Sequence, residues 1–522
     1  MKVKNIFISF IFFFIFVGCK FNNKNEIEKR KLEGTVITET SKEFSIFAIH
    51  LGKAFNGELP VYKKAFEMTN VKLKGIASKN QTDEELAFKL MLSSGELPDI
   101  IAYEFPLELE KLGVSGKMIP LEQLIDQYAP NIKKFWEKYP NYKKDAVAAD
   151  GHIYMIPNYN DCDNINTTQG YYIRKDWLRK LNLEEPKTIE ELYEVLIAFR
   201  DKDPNNNGKK DEIPIFVRGN TTRSIIISLV DMFKAHFLWY DKNGNGPVFG
   251  PSEIEYKNAI KQLSKWYKEG LIDEEIFTRS TMGRDYILTN NLGGFTCDWF
   301  SSTGNYNKKL KGIIPGFDFS TILPLEYNGN KTTSFARANY LGGWGISNTA
   351  KDPITIIKYF DFWYSEEGRR LWNFGIEGED YVLFEGKPYF TDKILKNREG
   401  KTSLGIIRET GAQYRLGMFQ DGENERQWAD SSIIKAMDLY KNSEVIEKPM
   451  PVLKYTKEEM EELSKISSQL RTITEEMTQI WILGVSDVEK DWNNYLYHLD
   501  IAGLKKAKKI QKQAYDRFMN NK

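Results

Sequence analysis

The stretch from Phe44 to Ala102 alternates between two hydrophobic periods, and this restricts the fold more than any other feature of the chain. Phe44-Ser45-Ile46-Phe47-Ala48-Ile49 reads as a strand, Leu59 to Met68 as a helix, and Val71-Lys72-Leu73-Lys74-Gly75-Ile76 as the next strand. From Asp83 to Ser94, apolar Leu86, Leu90 and Met91 recur at helical spacing. Thr82 or Asp83 caps that helix and Gly95 ends it. Leu97-Pro98-Asp99-Ile100-Ile101-Ala102 then returns as a buried strand. Strands alternating with helices build a parallel α/β sheet. Such sheets bind ligands beyond the carboxyl ends of their strands, which puts Tyr103 at an expected ligand edge.

Residues 1–19 do not belong to that fold. Lys2 and Lys4 precede an apolar run from Ile6 to Val17, broken only by Ser9, and Gly18-Cys19 follows. The run is shorter than the ~20 residues that span a bilayer, but it fits the core of a signal peptide. Phe16-Val17-Gly18-Cys19 resembles a bacterial lipobox, in which Cys19 would be lipidated and become the mature N-terminus. An ordinary secretory signal with an incidental cysteine is the alternative. Lys20 to Thr40 is rich in Lys, Asn and Glu and reads as a flexible tether, residues 20–40.

The remaining ~500 residues exceed what one core supports, so at least two domains or lobes are expected. Lys and Arg together number 73, as do Asp and Glu, and this balance gives no support for a nucleic-acid partner. No second apolar run approaches 18 residues. After Cys19 only Cys162 and Cys297 remain, too few for a disulfide scaffold in so long a chain. Whether those two pair is left open.

Asp203-Pro204-Asn205-Asn206-Asn207-Gly208-Lys209-Lys210-Asp211-Glu212 carries a different signal. Oxygen-bearing side chains fall at Asp203, Asn205, Asn207 and Asp211, with Glu212 following. Lys209 fills the skipped place, where only its backbone carbonyl serves. Hard cations such as Ca2+ take six to eight oxygens of these kinds. The run resembles an EF-hand loop, but Pro214 stands where the twelfth-position Glu belongs, and Glu212 is the nearest substitute. A solvated Asn/Gly turn is the alternative.

Motifs for catalysis are missing. The four histidines, His50, His152, His236 and His498, form no HExxH or paired zinc spacing. There is no GxSxG elbow and no GxxxxGK[ST] phosphate loop. Carboxylate pairs are too common here to exclude a glycosidase by counting.

Three segments resemble the extracellular solute-binding proteins of bacterial ABC importers: Leu97-Pro98-Asp99-Ile100, Gly151-His152-Ile153-Tyr154-Met155-Ile156-Pro157, and Tyr172-Ile173-Arg174-Lys175-Asp176-Trp177-Leu178. Ala350 to Gly368, Gly375-Ile376-Glu377-Gly378, Trp481-Ile482-Leu483-Gly484 and Ala514-Tyr515-Asp516-Arg517 agree with the large lipoprotein branch that includes oligosaccharide- and alginate-binding proteins. The resemblance covers nearly all of residues 41–522. It implies a two-lobed, periplasmic-binding-protein-like (type II) α/β fold with the ligand in an interlobe cleft. Lobe 1 would take 41–160, with a return near 330–380. Lobe 2 would take 161–330, and 331–522 would hold the hinge return, the completion of lobe 1 and a C-terminal helical segment. Hinges are expected near 155–170 and 325–345. The 203–212 run resembles the structural calcium loop of that branch.

For a sugar, aromatic faces stack on C–H faces while polar groups meet the hydroxyls, in a cleft that hinge closure dries. The segments expected to face such a cleft supply Tyr103, Asn158, Tyr159, Trp239, Asp298, Trp299, Arg337, Tyr340 and Trp344. The reading is a lipid-anchored, monomeric, extracytoplasmic binding protein. It would deliver an oligosaccharide or sugar derivative to an ABC permease, with no bond made or broken. A peptide ligand, a surface glycan hydrolase or lyase, and an adhesin are the alternatives. Tyr455 to Gln479, dense in charge at helical spacing, reads as a surface helix.

Overall fold

The structure is a computed structural model that describes residues 35–520, apart from 81, 220, 281, 339, 397–400 and 415. Cys19, the signal segment and most of the tether lie outside the described residues.

Ten strands carry the two main sheets, labelled here in chain order: β1 (Lys42–Phe47), β2 (Val71–Gly75), β3 (Ile100–Tyr103), β4 (Ile156–Asn160), β5 (Gln169–Arg174), β6 (Ile213–Ile215), β7 (Gly293–Trp299), β8 (Phe319–Ile322), β9 (Tyr340–Ile346) and β10 (Phe419–Gln420). The first sheet has six strands in the order β10-β4-β9-β3-β1-β2. Its β2-β1-β3 portion is parallel, as the alternating periods require. The helix between β2 and β3 is Glu84–Ser94, and Asp83 caps it by accepting the Leu86 N–H at 2.9 Å. The second sheet has four strands in the order β8-β5-β7-β6.

Each sheet is the centre of its own lobe. The first core draws on residues from Phe44 to Tyr159 and again from Tyr340 to Phe419. The second draws on Tyr171 to Phe335 and on the C-terminal helices from Leu463 to Ile510, with a satellite cluster that includes Ile433 and Tyr440. Both faces of these sheets are covered by helices, the two-lobed type II architecture of periplasmic binding proteins.

Helix Lys457–Ile482 departs from the expectation of a surface helix. Its charged residues occupy one face, while Met460, Leu463, Ile466, Leu470, Trp481 and Ile482 form a buried stripe. That stripe packs on lobe 2 against helix Ile254–Lys268, and its first turns reach helix Pro106–Val114 of lobe 1. There Lys111 Nζ donates to Ser464 Oγ at 3.3 Å, and Lys454 pairs with buried Glu110.

The chain passes between the lobes in three places. Residues 161–168 follow β4, residues 336–338 precede β9, and residues 421–430 follow β10. The three strands of chain are bonded to one another. Asn160 Nδ2 donates to the Ala338 carbonyl at 2.7 Å and the Arg337 N–H to the Asn166 carbonyl at 2.7 Å. The Gly422 N–H donates to Asp161 Oδ2 at 3.2 Å. Cys162, in the first passage, and Cys297 are both free thiols. Among the described residues no helix is long and apolar enough to cross a membrane.

Candidate functional site

Where β5 and β7 meet the crossing, Trp299 pairs with Gln169 and Asp298 with Gly170. The Trp299 ring is 40% exposed, whereas Asp298 is 3% exposed. The difference follows from alternation along a strand, which turns neighbours to opposite faces. Asp298 is the hub of a polar cluster. Its Oδ2 accepts from Arg284 Nη1 at 2.7 Å and from Thr303 Oγ1 at 2.8 Å. Its Oδ1 accepts the Trp299 N–H at 2.7 Å and lies 3.6 Å from Arg218 Nε. This corrects the expectation that Asp298 accepts a sugar hydroxyl: its lone pairs are already engaged by the protein.

The free capacity in the cluster is on the donors. Arg218 follows β6 by three residues, and its Nη1 donates to Ser302 Oγ at 3.0 Å. Arg284 Nη1 donates to the same oxygen at 2.8 Å. Burial depresses the Arg218 pKa; Asp298 opposes that shift and the Arg284 charge adds to it. For Arg284, Asp298 and Tyr306 outweigh burial and raise the pKa. Both guanidiniums therefore stay charged.

At the crossing, Arg337 reaches Glu425 at 3.3 Å and both side chains are buried. Arg337 thus ties the second passage to the third, which corrects its expected role as a ligand contact. Tyr340, at the start of β9, is buried with its hydroxyl lacking any partner, and Lys454 Nζ stands 6.0 Å from its ring. Burial holds this phenol well above its ordinary pKa.

Four expected lobe 1 residues belong to the core. Trp344 is 0% exposed and stacks on Phe360 of helix Pro353–Phe362, centroid to centroid 3.3 Å. Tyr159 is buried, donating to the Tyr142 carbonyl at 2.8 Å and accepting from Trp136 Nε1 at 3.1 Å. Tyr103 is buried and stacks on Phe88 at 3.9 Å. Asn158 spends its amide on the Leu341 carbonyl at 3.0 Å and on the Gly417 N–H. Each side chain is consumed by packing, because helices cover both faces of the sheet where these residues lie. Trp239 is half-buried on the hairpin Trp239–Asp241/Pro247–Phe249, which Tyr515 tethers through Asp241 at 2.9 Å. It lies on neither of the main sheets.

The 203–212 run forms a tight loop between helix Ile189–Asp201 and β6. Positive φ at Asp203, Asn206 and Gly208 turns the chain back on itself. Asp203 accepts the Asn207 and Gly208 N–H groups at 3.0 and 2.9 Å. Asn205 and Asn207 point their amides at Asp211, 3.0–3.2 Å away. Among the described residues no three His, Cys, Asp or Glu side chains converge as a metal cluster. A cation here would depend on the Asn oxygens and the Lys209 carbonyl as well. Both Glu212 carboxylate oxygens are buried without a hydrogen-bond partner. Burial raises the Glu212 pKa, the nearby backbone N–H groups of Glu212 and Asn205 only partly offset it, and Asp203 and Asp211 add to the rise. An orphaned buried carboxylate beside two further acids is what a loop built around a cation presents when described without it.

The family profile described as bacterial extracellular solute-binding protein matches residues 52–370, more than half of the chain. The chain belongs to this family. Its relatives include the fructooligosaccharide ABC transporter substrate-binding protein FusA of Streptococcus pneumoniae, 27% identical over 475 residues, or 85% of this chain and 84% of FusA. Among solved structures, alginate-binding protein AlgQ2 without calcium ion superposes with a TM-score of 0.83 at 35% identity, covering 92% of this chain and 99% of AlgQ2. FusA in complex with kestose gives 0.75 at 23% identity, covering 92% of this chain and all of FusA. An EF-hand mutant of FusA has also been solved and gives 0.74.

For this solute-binding protein, then, the structure gathers Asp298, Trp299, Arg337 and Tyr340 near the crossing and leaves Trp239 apart from them. Arg218, Arg284 and Ser302 were missed by sequence reasoning. Arg218 was recoverable, since it leaves a parallel strand at its carboxyl end. Arg284 was not, because only folding brings helix Gly283–Thr289 beside β7.

Proposed function

We propose that this protein is the substrate-binding subunit of an ABC importer and takes an oligosaccharide between its two lobes. The observation that carries this reading is Trp299, an indole left 40% exposed at the carboxyl end of β7. An exposed aromatic platform at a strand's carboxyl end suits a sugar ring, whose faces are apolar. The three bonded passages supply a hinge about which the lobes close. The names FusA and AlgQ2 carry support a saccharide over a peptide. The protein's part is binding and delivery to a permease, without chemistry on the ligand. It works as a monomer on the extracytoplasmic side, held to the membrane by lipid on Cys19.

Calcium completes the reading at a distance from the cleft. Asp203, Asn205, Asn207, the Lys209 carbonyl, Asp211 and Glu212 would hold it, and it would pin helix Ile189–Asp201 to β6. Orphaned Glu212 supports this, as do the calcium and EF-hand wording attached to the two related structures.

Thermal unfolding of the purified protein against a glycan panel and a peptide panel tests the ligand class. A ligand that binds only the folded state raises the midpoint. A glycan-dependent rise is expected. A rise with peptides alone, or release of cleaved glycan products, overturns the proposal.

A further inference from the structure

The connections fix which edge of the lobe 1 sheet faces lobe 2. β4 and β10 end at Asn160 and Gln420, where the first and third passages leave, and β9 begins at Tyr340, where the second returns. β9 runs antiparallel to both β4 and β3, and β3 runs parallel to β1. The carboxyl ends of β3 and β1 therefore lie on that same edge. In lobe 2, β5 starts at Gln169 just after the first passage and pairs antiparallel with β7, which puts Trp299 at the edge facing lobe 1. Both β3 and β7 neighbour a strand that carries a passage, so each stands one strand spacing, about 4.8 Å, from that strand.

On the lobe 1 edge two large apolar side chains meet solvent. Phe105 follows β3 and is 51% exposed; Leu51 follows β1 and is 57% exposed. The Phe47–Ile101 register, carried forward, brings Leu51 level with Phe105, and His50 Nδ1 lies 2.9 Å from Glu104 Oε1, so the two segments stay side by side. Single exposed apolar side chains are ordinary. Leu51, however, also holds φ at 51°, a left-handed conformation that a bulky residue keeps only where its surroundings impose it. They do so here. Leu51 is in the turn of hairpin Ile49–His50/Lys53–Ala54, where the Phe55 N–H donates to the Ala48 carbonyl at 3.0 Å and the Tyr414 hydroxyl to the Lys53 carbonyl at 2.8 Å. Phe105 is held as well. Its ring lies against Tyr103, centroid to centroid 5.2 Å. A Cβ on Gly342 of β9 would strike the Tyr103 carbonyl oxygen, so β9 grips the backbone that leads into Phe105.

We infer that Phe105, flanked by Leu51, is the surface of lobe 1 that closes on the ligand from the side opposite Trp299, so that a sugar ring is held between two apolar platforms. The inference rests on the saccharide reading above. It supplies the lobe 1 contact that buried Tyr103, Tyr159 and Trp344 do not. A sugar ring has two C–H faces, and one platform in each lobe takes both out of water as the lobes close. Because the backbone at Leu51 and Phe105 is already fixed, little loop ordering is left to oppose binding.

Titration calorimetry of the purified protein with a panel of fructan, glucan, mannan and uronan trisaccharides tests this. For each member that binds the wild type, Phe105→Ala is expected to weaken binding about 10-fold or more, while Phe105→Tyr, which keeps the ring, stays near wild type. Leu51→Gly adds a readout that a structural role would not move. Glycine takes the left-handed turn without strain, which offsets the added freedom of the unfolded chain, so the unfolding midpoint should stay near wild type while binding still weakens. Wild-type affinity in Phe105→Ala, or a loss that Phe105→Tyr fails to recover, overturns the inference and leaves the saccharide reading intact. Failure of every member of the panel to bind the wild type removes both. Should Phe105→Ala lower the unfolding midpoint, Phe105→Tyr and Leu51→Gly still decide the question.

Discussion

Lys454 and Glu110 form a charge pair that no local feature of either segment announces, and breaking it gives a sharp test of how the lobes are held. Glu110 is on helix Pro106–Val114 of lobe 1 and is almost wholly buried. The Lys454 backbone belongs to lobe 2, where its carbonyl accepts from Arg517 at 2.9 Å and neighbouring Tyr455 bonds Gln511 at 2.8 Å. Lys454→Met strands a carboxylate in the seam. Removing one member of a buried pair costs about 3–5 kcal/mol. The penalty depends on pH in a calculable direction. Burial already raises the Glu110 pKa above its ordinary value, and Lys454 is the main group opposing that rise. In the variant the opposition is gone, so the folded state binds a proton that the unfolded state releases. Folded-state stability then falls as pH rises from the unfolded pKa of Glu110 to its folded one, by at most about 1.4 kcal/mol per pH unit. Urea unfolding followed by circular dichroism should therefore show a larger deficit at pH 8 than at pH 5. Glu110→Leu combined with Lys454→Met should return stability to within about 1 kcal/mol of wild type, because the unpaired charge is gone. A deficit under about 1 kcal/mol at pH 8, or one that is equal at both pH values, would refute the reasoning.

Further perturbations separate core from site. Trp344→Ala empties a closed, stacked position and should cost about 3–5 kcal/mol in urea unfolding. Trp299→Ala should leave stability within ~0.5 kcal/mol but weaken saccharide binding in calorimetry; the reverse pattern would restore Trp344 as the ligand contact. Asp361 caps helix Pro130–Lys138 by accepting from the Ile132 N–H and Asn131 Nδ2, each at 2.8 Å, yet burial pushes its carboxyl up to about 6. With the folded pKa above the ordinary 3.8, its contribution to stability falls as pH rises between those values, by roughly 2–3 kcal/mol. Asp361→Asn should flatten that slope in urea midpoints measured from pH 4 to 7, and an unchanged slope would exclude Asp361 as its source. Calcium at a hundred times its dissociation constant should stabilise the fold by about 2.7 kcal/mol, so EDTA should lower the melting midpoint. Asp203→Ala should abolish that response, and elemental analysis finding no metal in the wild type would reduce the loop to a turn.

Features that depend on neighbours along the chain were readable from local sequence. Alternating periods specified the parallel strands β1, β2 and β3, and Asp83 stood as a cap because capping acts across three residues. The Asp203–Glu212 loop was legible for the same reason, since its oxygens are spaced by one local turn. Which tryptophan meets solvent was not legible. Trp299 and Trp344 both lie on strands at expected cleft positions, but helix Pro353–Phe362 lays Phe360 over Trp344, whereas Trp299 stays 40% exposed. Helix Lys457–Ile482 shows the same limit. Its charge density suggested solvent, while the stripe from Met460 to Ile482 is buried mainly against lobe 2, with its first turns reaching lobe 1. Local period states that a face is apolar; only the assembled fold states what lies against it. The Arg218–Asp298–Arg284 cluster needed β6, β7 and the helix Gly283–Thr289 between them to meet, so it is a property of the tertiary structure alone.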